Sequence, residues 1–96
     1  MENWKSDNWW VSKYNYDKGF RESLDLPRKV TIHDATLRDG EQTPGVVMSI
    51  DEKVEIAKML DNMGIERIEA GMPAVSETDK EAIKRIASLG LKAKIF

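Results

Sequence analysis

After residue 28 the hydrophobic positions change period in a regular order. Val30 and Ile32, both β-branched and separated by Thr31, predict a strand over Lys29–Thr36. From Ser49 the spacing turns helical, with Ile50, Val54, Ala57 and Leu60 forming one apolar stripe. Ser49 and Glu52 make a capping box, in which each side chain answers an unpaired backbone N–H of the first turn. Gly64 supplies the left-handed residue that ends the helix. The same grammar then recurs. Ile65–Ala70 predicts a second strand and Gly71-Met72-Pro73 a turn. Ser76 with Asp79 opens a second helix, whose face is Ala82, Ile83, Ile86 and Ala87 and which Gly90 closes, and Leu91–Phe96 predicts a third strand. Glu52, Glu55, Lys58 and Asp61 read as the solvated side of the first helix, with no further role assigned.

Strand, helix, strand, helix, strand is the order of parallel strands joined by helical crossovers, so the fold class is α/β. A parallel sheet normally has both faces covered, and here no helix follows the third strand. The pattern therefore reads as a chain cut short. One frame that accommodates it is the first β-α-β-α-β units of a TIM (β/α)₈ barrel of about 250 residues. Residues 1–27 stand apart from residues 28–96. They hold all three tryptophans (Trp4, Trp9, Trp10), both tyrosines (Tyr14, Tyr16) and Phe20, without a clean period. Such rings bury large areas, so this aromatic-rich N-terminal extension is expected to pack on a neighbouring surface, within the chain or across an oligomer interface.

Composition narrows the partners. Fifteen basic and 17 acidic side chains give a net charge of −2, which is not the footprint of a phosphate-backbone binder. No nucleic acid is expected. Charged residues make up 33 % of the 96 residues, and no run of about 18 apolar residues could span a bilayer. The start MENWKSDNWW lacks the basic, apolar and small-residue regions of a secretory signal, so a cytoplasmic protein is expected. The absence of cysteine excludes disulfides and thiolate metal sites.

The chemistry concentrates in TLRDGEQTPG, the loop that follows the first predicted strand. In parallel α/β sheets ligands gather at the carboxyl ends of strands. Arg38 offers a fixed fork of donors suited to a carboxylate or a developing enolate oxygen. Asp39 offers hard oxygen ligands for a divalent cation of the magnesium or manganese type. Gly40 and Pro44-Gly45 turn the backbone. Glu69, near the end of the second strand, brings a further carboxylate to the same rim. The plain alternative is a solvated surface ion pair between Arg38 and Asp39 or Glu69, worth about 0–1 kcal/mol. His33, a lone strand histidine, is expected to be a hydrogen-bonded structural residue.

The run IHDATLRDGEQTPGV resembles the N-terminal signature of the DRE-TIM metallolyases, and IEAGMPAVS resembles their second block. That superfamily includes the 2-isopropylmalate, homocitrate and citramalate synthases and 3-hydroxy-3-methylglutaryl-CoA lyase. The likeness covers residues 29–96, and the form TLRDGEQxPG is closer to the synthases. It implies the N-terminal part of a pyruvate carboxyltransferase-like barrel, an acyltransferase condensing acetyl-CoA with a 2-oxo acid. A divalent metal, magnesium or manganese with zinc as a further option, would act as the Lewis acid. Arg38 matches the catalytic arginine and Asp39 the metal-binding carboxylate. Glu41, Gln42 and Glu69 match active-site positions, with Gln42 and Glu41 assigned to substrate binding beside Arg38 and Glu69 to catalysis. A homodimer is implied for the full-length protein. The family completes its metal site with a His-x-His pair, whereas this chain has one histidine. With about three of eight barrel units, the chain alone is expected to lack catalysis. A C–C lyase of the same superfamily and a non-catalytic partner-binding module are the alternatives.

Overall fold

The computed structural model describes residues 2–96, which divide into two compact units, one ending at Val30 and the other running from Thr31 to Phe96. The first unit starts with an antiparallel bridge between Lys5 and Trp10, closed by hydrogen bonds from Ser6 N–H to the Trp9 carbonyl and from Val11 N–H to the Trp4 carbonyl, both 2.8 Å. This folding back sets the Trp4 and Trp10 rings edge to face, 5.9 Å between centroids. The Lys5 ammonium lies 4.8 Å and 5.6 Å from the two rings, a cation–π arrangement. A 3₁₀ turn over Lys13–Tyr16 and the short helix α1, Lys18–Glu22, follow. Each is capped locally, by Ser12 Oγ accepting from Tyr14 N–H and by Asp17 Oδ1 accepting from Phe20 N–H. Trp4 and Trp10 thus pack on each other, while Trp9, Trp10, Tyr14, Tyr16 and Phe20 keep between 45 % and 76 % of their surface exposed.

The second unit is a parallel sheet of β1 (His33–Asp34), β2 (Arg67–Ile68) and β3 (Lys94–Ile95) in the order β1-β2-β3. The helices α2 (Ile50–Asn62) and α3 (Glu77–Ala87) connect them. His33 stands opposite Arg67 and Arg67 opposite Lys94; on the other parity Asp34, Ile68 and Ile95 align. The strands are shorter than the apolar runs predicted. Ladder bonds reach only from Ile32 to Asp34 on β1, from Glu66 to Ala70 around β2 and from Lys94 to Phe96 on β3. Regular strand structure needs a partner on the ladder, and Lys29–Thr31 has none among the described residues.

Strand periodicity of two then sorts the side chains. Ile68, Ala70 and Ala93 turn to the helices and join Leu37, Ala57 and Ile86 in the buried core. His33, Arg67, Glu69, Lys94 and Phe96 fall on the opposite parity, and contacts among them confirm a shared face. The Arg67 guanidinium sits 4.4 Å over the Phe96 ring, and the His33 ring lies 5.6 Å from it. One face of the sheet is thus apolar and covered, the other charged and bare.

The helices keep their predicted signals. Ser49 N–H donates to Glu52 Oε2 at 2.7 Å and Ser49 Oγ accepts from Glu52 N–H at 3.2 Å, so the capping box closes. Gly64, at φ +91°, turns the chain out of α2. Two expectations change. Ala87 is exposed: it lies about 100° around the helix from Ile86, beyond the stripe centred on Ala82 and Ile86. Asp61 is not merely solvated, because its Oδ1 accepts from Ala93 N–H at 2.7 Å and so anchors the entry to β3. None of the described helices is long and apolar enough to cross a membrane. Removing the acceptor strands a partly buried N–H, so Asp61→Ala should lower unfolding free energy by about 1–3 kcal/mol, whereas Glu55→Ala should stay within about 0.5 kcal/mol. Urea denaturation of the two variants tests the contrast.

Candidate active site

The loop after β1 is built to expose Arg38. Asp34 Oδ1 takes the N–H of Thr36 at 2.9 Å, closing a turn at the strand end. The Ala35 carbonyl accepts from the N–H groups of Arg38, Asp39 and Gly40. Leu37 is fully buried in the core and pins the loop to the sheet, and Arg38 stands next to that anchor. A 3₁₀ turn over Gly40–Gln42 leads on towards α2.

Arg38 meets Glu69 from the end of β2. Its Nε donates to Glu69 Oε1 at 2.8 Å and its Nη2 to Oε2 at 3.4 Å, a side-on fork on one carboxylate. Glu69 Oε2 also lies 3.1 Å from His33 Nε2. An ionised carboxylate only accepts, so His33 is the donor of this contact when Nε2 carries a proton. The hydrogen bonds from Arg38 and from His33 hold the Glu69 carboxyl below its ordinary range, and Glu69 in turn raises Arg38. This differs from a loose surface pair. The side chains are only 30 % and 25 % exposed, and the carboxylate takes donors from two segments. Arg38 Nη1 stays outside this fork, which leaves donors for a ligand oxygen.

The other expected residues spread out. Asp39 is 73 % exposed, 3.9 Å from Arg38 Nη1, and its side chain accepts no hydrogen bond among the described residues. Glu41 contacts Lys53. Gln42 lines a cavity of about 260 Å³ together with Arg38, Glu41, Val46, Met72 and Asp79. That is slightly below the ~300 Å³ at which small-molecule pockets commonly begin. No group of three His, Cys, Asp or Glu side chains converges to hold a metal ion among the described residues.

Two members of this region escaped the sequence reading. Lys53 is fully buried, contacting Glu41 and donating to Asp79 Oδ1 at 2.5 Å. Asp79, expected only at a helix start, receives the Met72 N–H on Oδ2 while its own N–H goes to Ser76 Oγ. A signal for Lys53 was present: residues 50, 53, 57 and 60 share one helical stripe, and a lysine in the middle of an apolar stripe needs a partner.

The strand order, the one-sided helices and the arginine fork at the strand ends define a parallel α/β unit with its polar site at the carboxyl edge. A model of the HMGL-like family matches residues 29–96, and the chain belongs to that family. Among relatives, a homocitrate synthase of Methanopyrus kandleri, AksA, is 54 % identical over 73 residues, covering 76 % of this chain and 18 % of that protein. A 2-isopropylmalate synthase of Methanocaldococcus jannaschii is 54 % identical over 74 residues, 77 % of this chain and 14 % of that protein. The homocitrate synthase AksA of Methanothermobacter thermautotrophicus is 48 % identical over 88 residues, 92 % of this chain and 22 % of that protein. An alignment of that length extends beyond residues 29–96 into the aromatic arm, which the motif likeness left out. The chain spans about a fifth or less of the length of these curated relatives.

The Arg38–Glu69 fork yields a pH prediction. Because Glu69 is lowered in the folded state, its contribution to stability is complete above the ordinary value of 4.5 and is lost as pH falls below it, through the folded-state value. Carboxyl ¹³C NMR should show Glu69 titrating below the ordinary glutamate value of 4.5, and Arg38→Ala should move that titration upward.

Proposed function

We propose that this chain supplies the first strand units of a TIM (β/α)₈ barrel whose complete form condenses acetyl-CoA with a 2-oxo acid. The observation that carries the reading is the Arg38 guanidinium held by Glu69 across the carboxyl ends of β1 and β2. Two further observations support it. The sheet face opposite the helices is bare and bears His33, Arg67, Glu69 and Lys94, as a face enclosed by further strands would. The relatives are named as homocitrate and 2-isopropylmalate synthases.

In this reading Arg38 is catalytic. Glu69 fixes the guanidinium by Nε and Nη2, so its remaining N–H groups point at a set position without reorganising during the reaction. They stabilise the negative charge that grows on the keto oxygen as the acetyl-CoA enolate carbon attacks the neighbouring carbon. Glu69 contributes to catalysis by holding that fork, and Gln42 and Glu41, on the cavity wall beside Arg38, contact or orient the substrate. Asp39, whose exposed side chain accepts no hydrogen bond among the described residues, is the carboxylate this loop offers to a divalent cation such as magnesium, manganese or zinc. One carboxylate falls far short of the about six ligands such an ion takes, so the described residues do not form a metal centre by themselves. When bound, the cation would polarise the keto carbonyl as a Lewis acid. We place the protein in the cytoplasm, as a homodimer, with residues 1–27 as an extension to the barrel unit that starts at 28.

The test uses the full-length protein with acetyl-CoA, a divalent metal and a panel of 2-oxo acids including pyruvate, 2-oxoisovalerate and 2-oxoglutarate, with free thiol release followed. Condensation with at least one acid is expected, and Arg38→Ala should lower kcat by about 10²–10³. Unchanged turnover in that variant sinks the assignment. Cleavage of a 3-hydroxyacyl-CoA without condensation would instead identify a lyase.

A further inference from the structure

Lys53 occupies a place that is costly for an ammonium, with no exposed surface and Ala57 one turn further along α2. Burial opposes its charge, yet the carboxylates of Asp79 and Glu41 more than offset this and raise its pKa above the ordinary 10.5. Its contribution is therefore complete below that value and is lost only as pH rises beyond it, so Lys53 is a cation at neutral pH. Buried ion clusters are a weak source of stability compared with apolar side chains of the same volume. What this one does differently is geometric.

Its two partners come from different places, Glu41 from the β1–α2 loop and Asp79 from the first turn of α3. Glu41 is the middle residue of the Gly40–Gln42 turn, three positions after Arg38. Asp79 receives the Lys53 ammonium on Oδ1 and the Met72 N–H on Oδ2, so it ties the β2–α3 loop to the same point. Gly71, at φ +154°, lets that loop close down: a Cβ there would come within 3.3 Å of Ile83 Cδ1 and 3.4 Å of Asp79 Oδ2. Arg38, Glu41, Met72 and Asp79 all line the one cavity.

We propose that Lys53 is a positioning residue for the Arg38 site, its ammonium clamping the β1–α2 loop to the β2–α3 loop and so setting the width of the cavity and the direction of the arginine. The consequence for catalysis rests on the function proposed above; the clamp itself does not.

Lys53→Met alone leaves two partly buried carboxylates without their cation and can unfold the protein. The deciding variant therefore combines Lys53→Met, Glu41→Gln and Asp79→Asn in the full chain, which neutralises the cluster at nearly constant volume. Hydrogen exchange by NMR should show the amides of Ala57, Glu69 and Ile86 protected as in the unaltered protein. The amides of Glu41 and Met72, and the Arg38 Nε–H that none of the substitutions touches, should exchange about tenfold faster or more. In the condensation assay kcat should fall about tenfold while KM for acetyl-CoA changes less than about threefold. Unaltered exchange at Glu41, Met72 and Arg38, or equal loss of protection at Ala57, Glu69 and Ile86, overturns the clamp. Absence of condensation by the unaltered protein refutes the proposed function, and the exchange comparison then judges Lys53 independently.

Discussion

Glu69 is the point on which the polar half of this unit turns. A carboxylate at the end of β2 accepts the Arg38 fork at 2.8 Å and 3.4 Å and lies 3.1 Å from His33 Nε2, so it joins the loop after β1 to β1 itself and to the neighbouring strand. The charges are mutually dependent. Without the arginine the carboxyl would lose the hydrogen bonds that contribute most to holding it below its ordinary range, and without the carboxylate the guanidinium would be one more flexible surface cation. The apolar side of the sheet makes this possible, because Leu37 buries itself among Ala57, Ile68 and Ile86 and fixes the backbone from which Arg38 departs.

A second ionic cluster, at Lys53, works on the same loops from below. The two clusters differ in what surrounds them. Arg38 and Glu69 are partly exposed, so Arg38 retains donors for a ligand; Lys53 is sealed, and its hydrogen bonds serve only the protein. A buried charge held by one carboxylate from the β1–α2 loop and one from the first turn of α3 restricts their relative motion more than a hydrophobic residue could, since it specifies distances and directions and not merely volume.

Membership of the HMGL-like family and the synthase relatives narrow the chemistry, while the site geometry says what this segment can contribute to it. It offers an oriented cation at the strand ends and an exposed carboxylate beside it. It does not gather the set of ligands that a divalent ion requires. The division is physically sensible for a β/α unit: each strand end can present only one or two side chains to a shared rim, and a metal centre needs several rims' worth of donors.

Much of the architecture was legible along the chain because it rests on local signals. The Ser49/Glu52 box, the stop at Gly64 and the stripes of both helices act over a few residues, and the motif TLRDGEQ marked the loop that carries Arg38. Strand extent was not local: regular pairing was confined to two residues of each strand by the partners available, not by the β-branched content of Lys29–Thr36. The order of elements brought Glu69 to the rim of Arg38 and allowed a pair between them, but not the two-point fork or the turn of Asp39 to solvent, because residues 31 apart take up their geometry only once the sheet register is set. Lys53 shows the limit best. Its place in an apolar stripe was visible, but whether a lysine there is an error of packing or an ion held from two sides depends on Glu41 and Asp79, which only the folded chain brings to it.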